Sequence, residues 1–179
     1  MPTKYYIYGV PGVGKSTLAA DFARRHNFIC LGLDDLRPKA QALASQEEEP
    51  FIYEYTTEAW KRFGELSEDT AVKGFLAVRQ AFQKYIWSEL SLHGDGYIAE
   101  ATYIDPKSIL EDDSKVTLLI TSDERLHYSH FFLHRPRSDE EDSQFKAARW
   151  IQDYLINEAA SLGVTVLDNN VPDISSAEL

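Results

Sequence analysis

The chain is predicted to be an α/β domain, a parallel sheet covered by helices on both faces. Two observations carry this. Runs of β-branched and aromatic residues alternate with segments whose apolar residues recur at helical spacing, as in a chain of βα units. At the first such junction, Gly9-Val10-Pro11-Gly12-Val13-Gly14-Lys15-Ser16-Thr17 joins a strand-like run to a helix-like one. With 179 residues and 44% hydrophobic side chains, the chain suits one domain, 1–179, with a real core.

The first strand is expected over Lys4 to Gly9, where tyrosines and isoleucine favour a pleated, buried surface. The first helix follows from Lys15 to Arg25, with Leu18, Ala19, Phe22 and Ala23 on one face. Phe28 to Leu33 gives a second strand, ending in Asp34-Asp35, and Gly96 to Ala101 a third, carrying Glu100. Val116 to Thr121 is an unbroken β-branched and leucine run, the mark of a central strand. Val164 to Leu167 is the fifth, leading into Asp168-Asn169-Asn170.

The stretch between strands two and three exceeds an ordinary crossover and reads as a helical insertion over 36–95. Within it a shorter helix is expected over Phe51 to Phe63 and a long one over Glu68 to Leu92. In the long one, Val72, Phe75, Leu76, Phe82, Ile86 and Leu90 form one stripe. Such an insertion overhangs the carboxyl ends of the strands, where open α/β sheets bind ligands. The last long helix, Asp139 to Leu162, has Ser138 with Glu141 as a capping box and Gly163 at its end. Residues 122–138, before it, are placed for a lid.

The net charge is −11, with acidic patches at Glu47-Glu48-Glu49, Glu111-Asp112-Asp113 and Asp139-Glu140-Glu141-Asp142. Runs of this kind are solvated surface, and the overall sign argues against duplex nucleic acid as a partner. No apolar run is long enough to span a bilayer, so no membrane partner is expected. Met1-Pro2-Thr3-Lys4 leads straight into the first strand, so no signal peptide is expected. Cys30, the lone cysteine, excludes an internal disulfide and a multi-thiolate zinc site. Together these features point to the cytoplasm.

The run from Gly9 to Ser16 matches G-x-x-x-x-G-K-[ST], in the strand-then-helix context that gives this motif its meaning. Glycines free the backbone to turn its N–H groups inward around an anion. Lys15 adds a cation for the β- and γ-phosphates, and the Ser16 hydroxyl is a ligand for Mg²⁺. Gly9, Val10, Pro11, Gly12, Val13, Gly14, Lys15, Ser16 and Thr17 are therefore the expected binding residues for ATP with Mg²⁺.

Asp34 is read as the base that accepts a substrate hydroxyl proton, or holds Mg²⁺ through water, and Asp35 as the cap of the next helix. Either acid can take either role. Glu100, costly to bury unpaired, faces the substrate or metal, or makes a structural hydrogen bond. Arg135 and Arg137 are placed to bring cations onto the transferring group, or form an exposed loop pair. Arg125 and Arg149 are further candidates, unless they serve neighbouring acids. Arg37, Lys61, Arg62, Lys73 and Arg79 lie near the insertion, as holders of a second anion or as routine exposed cations. His127, His130 and His134 share a helix face, so they read as metal ligands or as plain surface and core. Trp60, Trp87 and Trp150 read as core, and Asn169 and Asn170 as base contacts or turn residues.

These residues resemble the 2-phosphoglycerate kinase-like P-loop kinases. Leu33-Asp34-Asp35-Leu36-Arg37 is similar to that family's Asp followed three residues later by Arg. Tyr55-Thr56-Thr57-Glu58-Ala59-Trp60 resembles its Ser/Thr-Tyr-Glu-Ala-Trp segment, and Val72-Lys73-Gly74-Phe75 with Gln80 its Gly-Phe helix start. Glu100 and Pro106 match an acid and a proline after the third strand. Arg149-Trp150-Ile151-Gln152-Asp153-Tyr154-Leu155, then Gly163-Val164, resembles its closing pattern. Where the family has Glu-Gly-x-His, this chain has Glu100-Ala101-Thr102-Tyr103.

The resemblance implies a P-loop NTPase fold with five parallel strands in the order 2-3-1-4-5 and a lid before the last helix. It implies an ATP-dependent phosphotransferase acting on an alcohol group of a small acid, itself able to carry phosphate, such as 2-phosphoglycerate. Lys15 and Ser16 would handle phosphate and Mg²⁺, and Asp34, Arg37 and Arg149 would face the reacting groups. Asp35, Arg37, Lys73 and Glu100 make up the expected acceptor side. The alternatives are a nucleoside, nucleotide or polynucleotide end kinase, and an ATP-gated switch that transfers nothing.

Overall fold

The computed structural model describes residues 3–110, 114–133, 141–170 and 179. Five parallel strands form one sheet in the order β2-β3-β1-β4-β5, as expected. They are β1 (Lys4–Tyr8), β2 (Ile29–Gly32), β3 (Tyr97–Ala101), β4 (Ser114–Ile120) and β5 (Thr165–Asp168). The helices are α1 (Lys15–His26), α2 (Leu36–Leu43), α3 (Glu68–Leu90), α4 (Pro106–Ile109), α5 (Glu124–Phe131) and α6 (Glu141–Leu162).

Strand alternation distributes the helices. Tyr5 of β1 meets Phe22 of α1 at 4.6 Å between ring centres. Tyr8, three residues on and so on the opposite face, is fully buried beside Arg79 of α3 and Glu158 of α6. That arginine and glutamate pair at 2.9 Å with almost no exposure. Tyr154 donates to the same carboxylate, so α3 and α6 are tied beneath the sheet. Burying this pair removes Arg79 from the cations available to a ligand.

The expected helix over Phe51 to Phe63 is instead two 3₁₀ turns, Pro50–Tyr53 and Ala59–Arg62, with Tyr55 to Thr57 between them. Tertiary contact overrides propensity here. Arg37 donates to the carbonyls of Ile52 (2.5 Å) and Glu54 (2.9 Å), capturing groups a continuous helix would use internally. Gly74 of α3 lets the second turn approach closely, since a Cβ there would lie 2.5 Å from Trp60 N. The capping box Ser138/Glu141 lies outside the described residues. Among the described residues no helix is long and apolar enough to cross a membrane.

The register brings the functional ends together. Glu100 stands opposite Ile7 on one side and Gly32 on the other, so β1, β2 and β3 finish at one level. The phosphate loop leaves from β1, and Asp34 and Asp35 follow β2 in a 3₁₀ turn, Leu33–Asp35.

Candidate active site

Gly12 and Gly14 adopt positive φ values of 85° and 92°, which L side chains resist. At Gly12 a Cβ would also sit 2.7 Å from Phe131 Cα, so α5 backs directly onto the loop. Lys15 is buried. Its Nζ donates to Val10 O (3.2 Å) and Thr102 Oγ1 (3.4 Å), and Ser16 Oγ donates to Glu100 Oε1 at 2.9 Å.

These residues open into a cavity of about 490 Å³ whose lining includes Lys15, Ser16, Asp34, Asp35, Arg37 and Tyr55. One wall is the loop; the other is the insertion. Asp34 accepts from the Thr102 N–H at 3.3 Å, which points its carboxylate along the end of β3. Arg37 lies 4.9 Å from the centres of both the Tyr55 and Phe82 rings, which hold its guanidinium plane. Tyr103 stacks on Phe82 at 4.3 Å and donates to Leu33 O. The residue standing where the resembled family keeps a histidine is thus part of the wall, its hydroxyl committed.

Glu100 is the electrostatic centre. Burial pushes its carboxyl above the usual range, Lys15 opposes that, and the neighbouring Asp34 charge adds to it. Its Oε2 is buried without a protein partner. A hard-oxygen acceptor left open beside the Ser16 hydroxyl, with two aspartates nearby, fits a Mg²⁺ ion. Among the described residues no three His, Cys, Asp or Glu side chains converge into a cage. Nucleotide-bound Mg²⁺ needs none, since water and phosphate supply most of its ligands.

Substitution Glu100→Gln follows from this. A native pKa above the unfolded one means the folded state holds the extra proton, so stability falls as pH rises through that pKa. The amide variant should therefore unfold at higher temperature than the parent at pH 8 without metal. The gain should be small, on the order of 1 kcal/mol, because the amide has no charge to desolvate but leaves its own N–H₂ unpartnered and takes a countercharge from Lys15. It should also weaken the Mg²⁺ dependence of nucleotide binding. Calorimetric unfolding with and without MgCl₂ reads both.

Asp35 lines the cavity but is not the expected cap, and several other expected site residues fall elsewhere. Asp35 occupies the N-cap position of α2 but makes no side-chain capping bond; its Oδ2 leans over Gly32 instead. Lys73 is exposed on α3 and pairs with Asp69 at 2.7 Å, away from the cavity, because a salt bridge one helical turn apart is its nearest anion. Lys61 and Arg62 likewise pair with Glu58 and Glu54. Of the five cations near the insertion, Arg37 lines the cavity and the other four do not.

Arg149 does not line it either. Its Nη1 donates to Thr121 O (2.7 Å) and to His127 Nδ1 (3.3 Å), and its Nη2 to Ser122 O (3.3 Å). With Arg125 it borders a separate cavity of about 920 Å³ between α5 and α6. His127 is fully buried and its other nitrogen meets Pro11 O at 2.9 Å, so both its nitrogens are engaged and neither is open to a metal. Asn169 does not wait for a base: its Nδ2 donates to Val13 O at 2.9 Å. Asn170 holds the Asp123 N–H and Asp168. Arg135, Arg137 and His134 lie outside the described residues. Thr102, which bonds Lys15 and Asp34, is the site contact that sequence reasoning missed, and His127 and Asn169, read there as metal ligand and base contact, bond loop carbonyls instead; an isolated Thr, His or Asn carries no local signature of its partner.

A family model described as an AAA domain matches residues 5–108, from β1 through Glu100 to α4. The chain belongs to the AAA domain family. The chain is 27% identical to the 2-phosphoglycerate kinase of Methanocaldococcus jannaschii, over 94% of its own length and 59% of that protein. It thus spans about three fifths of the length of that relative. It is 28% identical to the mevalonate-3-phosphate 5-kinase of Thermoplasma acidophilum, over 89% of the chain and 84% of the relative. Among solved structures, the shikimate kinase of Acinetobacter baumannii in complex with shikimate superposes with a TM-score of 0.56. That match covers 96% of this chain and 85% of the other, and at 16% identity it concerns the fold. The expected likeness to 2-phosphoglycerate kinases is thus found across most of the chain.

Proposed function

We propose that the chain is an ATP- and Mg²⁺-dependent kinase. It moves the γ-phosphoryl group to a hydroxyl of a small phosphorylated acid, with 2-phosphoglycerate the first candidate. One observation carries this reading: the Lys15 and Ser16 side chains share a single cavity with the Asp34 carboxylate and the Arg37 guanidinium. A nucleotide end and an acceptor end face each other across it. The names of the two curated relatives support a phosphorylated acceptor, since both kinases act on a phosphate ester.

In this reading the loop amides and Lys15 hold the β- and γ-phosphates, and Arg37 pairs with the acceptor's anionic group. Asp34 takes the proton of the acceptor hydroxyl as its oxygen bonds to the γ-phosphorus; the bond to the β-bridging oxygen breaks and ADP leaves. Ser16 would ligate Mg²⁺ directly, with Glu100 and Asp34 reaching it through water. Bound there, the ion would offset the charge that builds on the phosphate oxygens. Arg135 and Arg137 are proposed to add cations from the lid segment. Of that segment, 122–138, α5 packs against the phosphate loop and serves as its backing.

The test is ATP consumption with Mg²⁺ across phosphorylated hydroxy acids, free sugar acids, nucleosides and oligonucleotide ends. Stimulation by phosphorylated hydroxy acids is expected. Transfer to nucleosides or oligonucleotide ends would replace the acceptor class. Tight ATP binding with no stimulation by any acceptor would overturn the kinase reading in favour of an ATP-gated switch.

A further inference from the structure

Two side chains from the far end of the chain grip the phosphate loop from outside. His127 Nε2 meets Pro11 O at 2.9 Å, and Asn169 Nδ2 donates to Val13 O at 2.9 Å. They come from α5 and from the turn after β5, 116 and 156 residues away from their partners in sequence. The bonds fall on alternate carbonyls of the Gly9–Ser16 run. Every peptide described is trans. In a trans peptide the carbonyl of one residue and the N–H of the next point in opposite directions. Holding Pro11 O toward His127 therefore turns the Gly12 N–H away from it, and holding Val13 O toward Asn169 does the same for the Gly14 N–H.

We propose that His127 and Asn169 are positioning residues that preset the Gly12 and Gly14 amides for the nucleotide phosphates. The inference rests on the nucleotide-binding half of the reading above and concerns residues that touch no substrate. Flexible glycines make the loop able to form the anion nest; they do not by themselves keep it formed, because glycine loses the most conformational freedom on ordering. Two outside anchors supply that order before the ligand arrives, which is where preorganised donors gain their advantage.

The chemistry of His127 fits a fixed donor. A carbonyl only accepts, so the proton sits on Nε2, and Nδ1 is left to accept from Arg149 Nη1 at 3.3 Å. A doubly protonated ring would set an Nδ1–H against that guanidinium. Burial lowers the imidazole to about 4 against the opposing pull of the Pro11 bond, with Arg149 and Lys15 as nearby cations, so the ring stays neutral in ordinary buffers. Arg149 in turn is held by the Thr121 and Ser122 carbonyls at the end of β4. The relay therefore runs from the central sheet through α6 and α5 to Pro11. Asn169 is anchored as firmly, since its own N–H donates to Ile120 O at 2.7 Å.

The test uses Mg-ADP titration calorimetry on the wild-type chain, His127→Leu, His127→Gln and Asn169→Ala, with thermal unfolding of each. His127→Leu removes the donor and should weaken ADP about tenfold, the effect of one well-placed hydrogen bond. His127→Gln can return an N–H to Pro11 O and should stay within about threefold of wild type. Asn169→Ala reads the second anchor without relying on the first variant folding, and should also lose about tenfold. Wild-type affinity in both His127→Leu and Asn169→Ala overturns the proposal, as does a glutamine variant no better than the leucine one. Equal loss of Tm in the leucine and glutamine variants, alongside rescue of ADP binding by glutamine alone, separates positioning from mere stability. A wild-type chain that binds no ADP overturns the nucleotide reading itself, and this proposal with it.

Discussion

Lys15→Ala should abolish acceptor-dependent ATP turnover, a fall of about a thousandfold or more, while the chain stays folded. The size follows from removing a preorganised cation from a water-poor site, where a single lost donor costs about 10²–10³ in rate and the γ-phosphoryl oxygens carry the developing charge. Survival of the fold follows from how the amine is held. Its two bonds, to Val10 O and Thr102 Oγ1, are long at 3.2 and 3.4 Å, and the desolvation it suffers in the buried site is relieved when it leaves. Against that stands the loss of a countercharge for Glu100. The two effects oppose each other, so circular dichroism should place the melting transition within a few degrees of the parent. A variant that keeps even a tenth of the turnover would remove Lys15 from the chemistry.

The second large effect is expected at Asp34. Asn keeps an oxygen to accept from the Thr102 N–H, so the side chain's position is preserved while its basicity is lost. Turnover in Asp34→Asn should fall by about 10²–10⁴, the range for a missing general base, with ATP affinity nearly unchanged. Steady-state kinetics at saturating ATP, paired with ADP titration, separates the two quantities. If turnover is unchanged, Asp34 is not the base, and Asp35, whose carboxylate leans over Gly32 toward Glu100, is the next residue to test.

The acceptor side shows how far residue type alone can mislead. Five cations near the insertion looked interchangeable, yet four are spent: Arg79 in the buried pair with Glu158, and Lys61, Arg62 and Lys73 on nearby acids. Arg37 lines the cavity because two carbonyls and two aromatic rings hold it there. In a chain with this many acids, a lysine or arginine on a helix finds a local anion first. Arg149 is excluded by place instead, since its carbonyl partners at the end of β4 hold it beside the separate cavity. A ligand-facing cation is one whose local anions are absent, and that absence belongs to three dimensions.

Local pattern determined the rest. The strands lie within about two residues of their expected bounds, α1 opens on Lys15 as expected, and the sheet order matches the one the resemblance implied. Alternation, helical spacing and a glycine-rich turn are written in neighbouring residues, and the physics that reads them acts over a few ångströms along the chain. The break in the expected Phe51–Phe63 helix, the exclusion of Arg149 and Lys73 from the cavity, and the anchoring of the phosphate loop by His127 and Asn169 were decided only by the tertiary structure. Each depends on which carbonyl or carboxylate reaches a polar side chain first. Partners more than a hundred residues apart meet only after the sheet has set its order, and single polar residues leave no periodic trace of where they will bond.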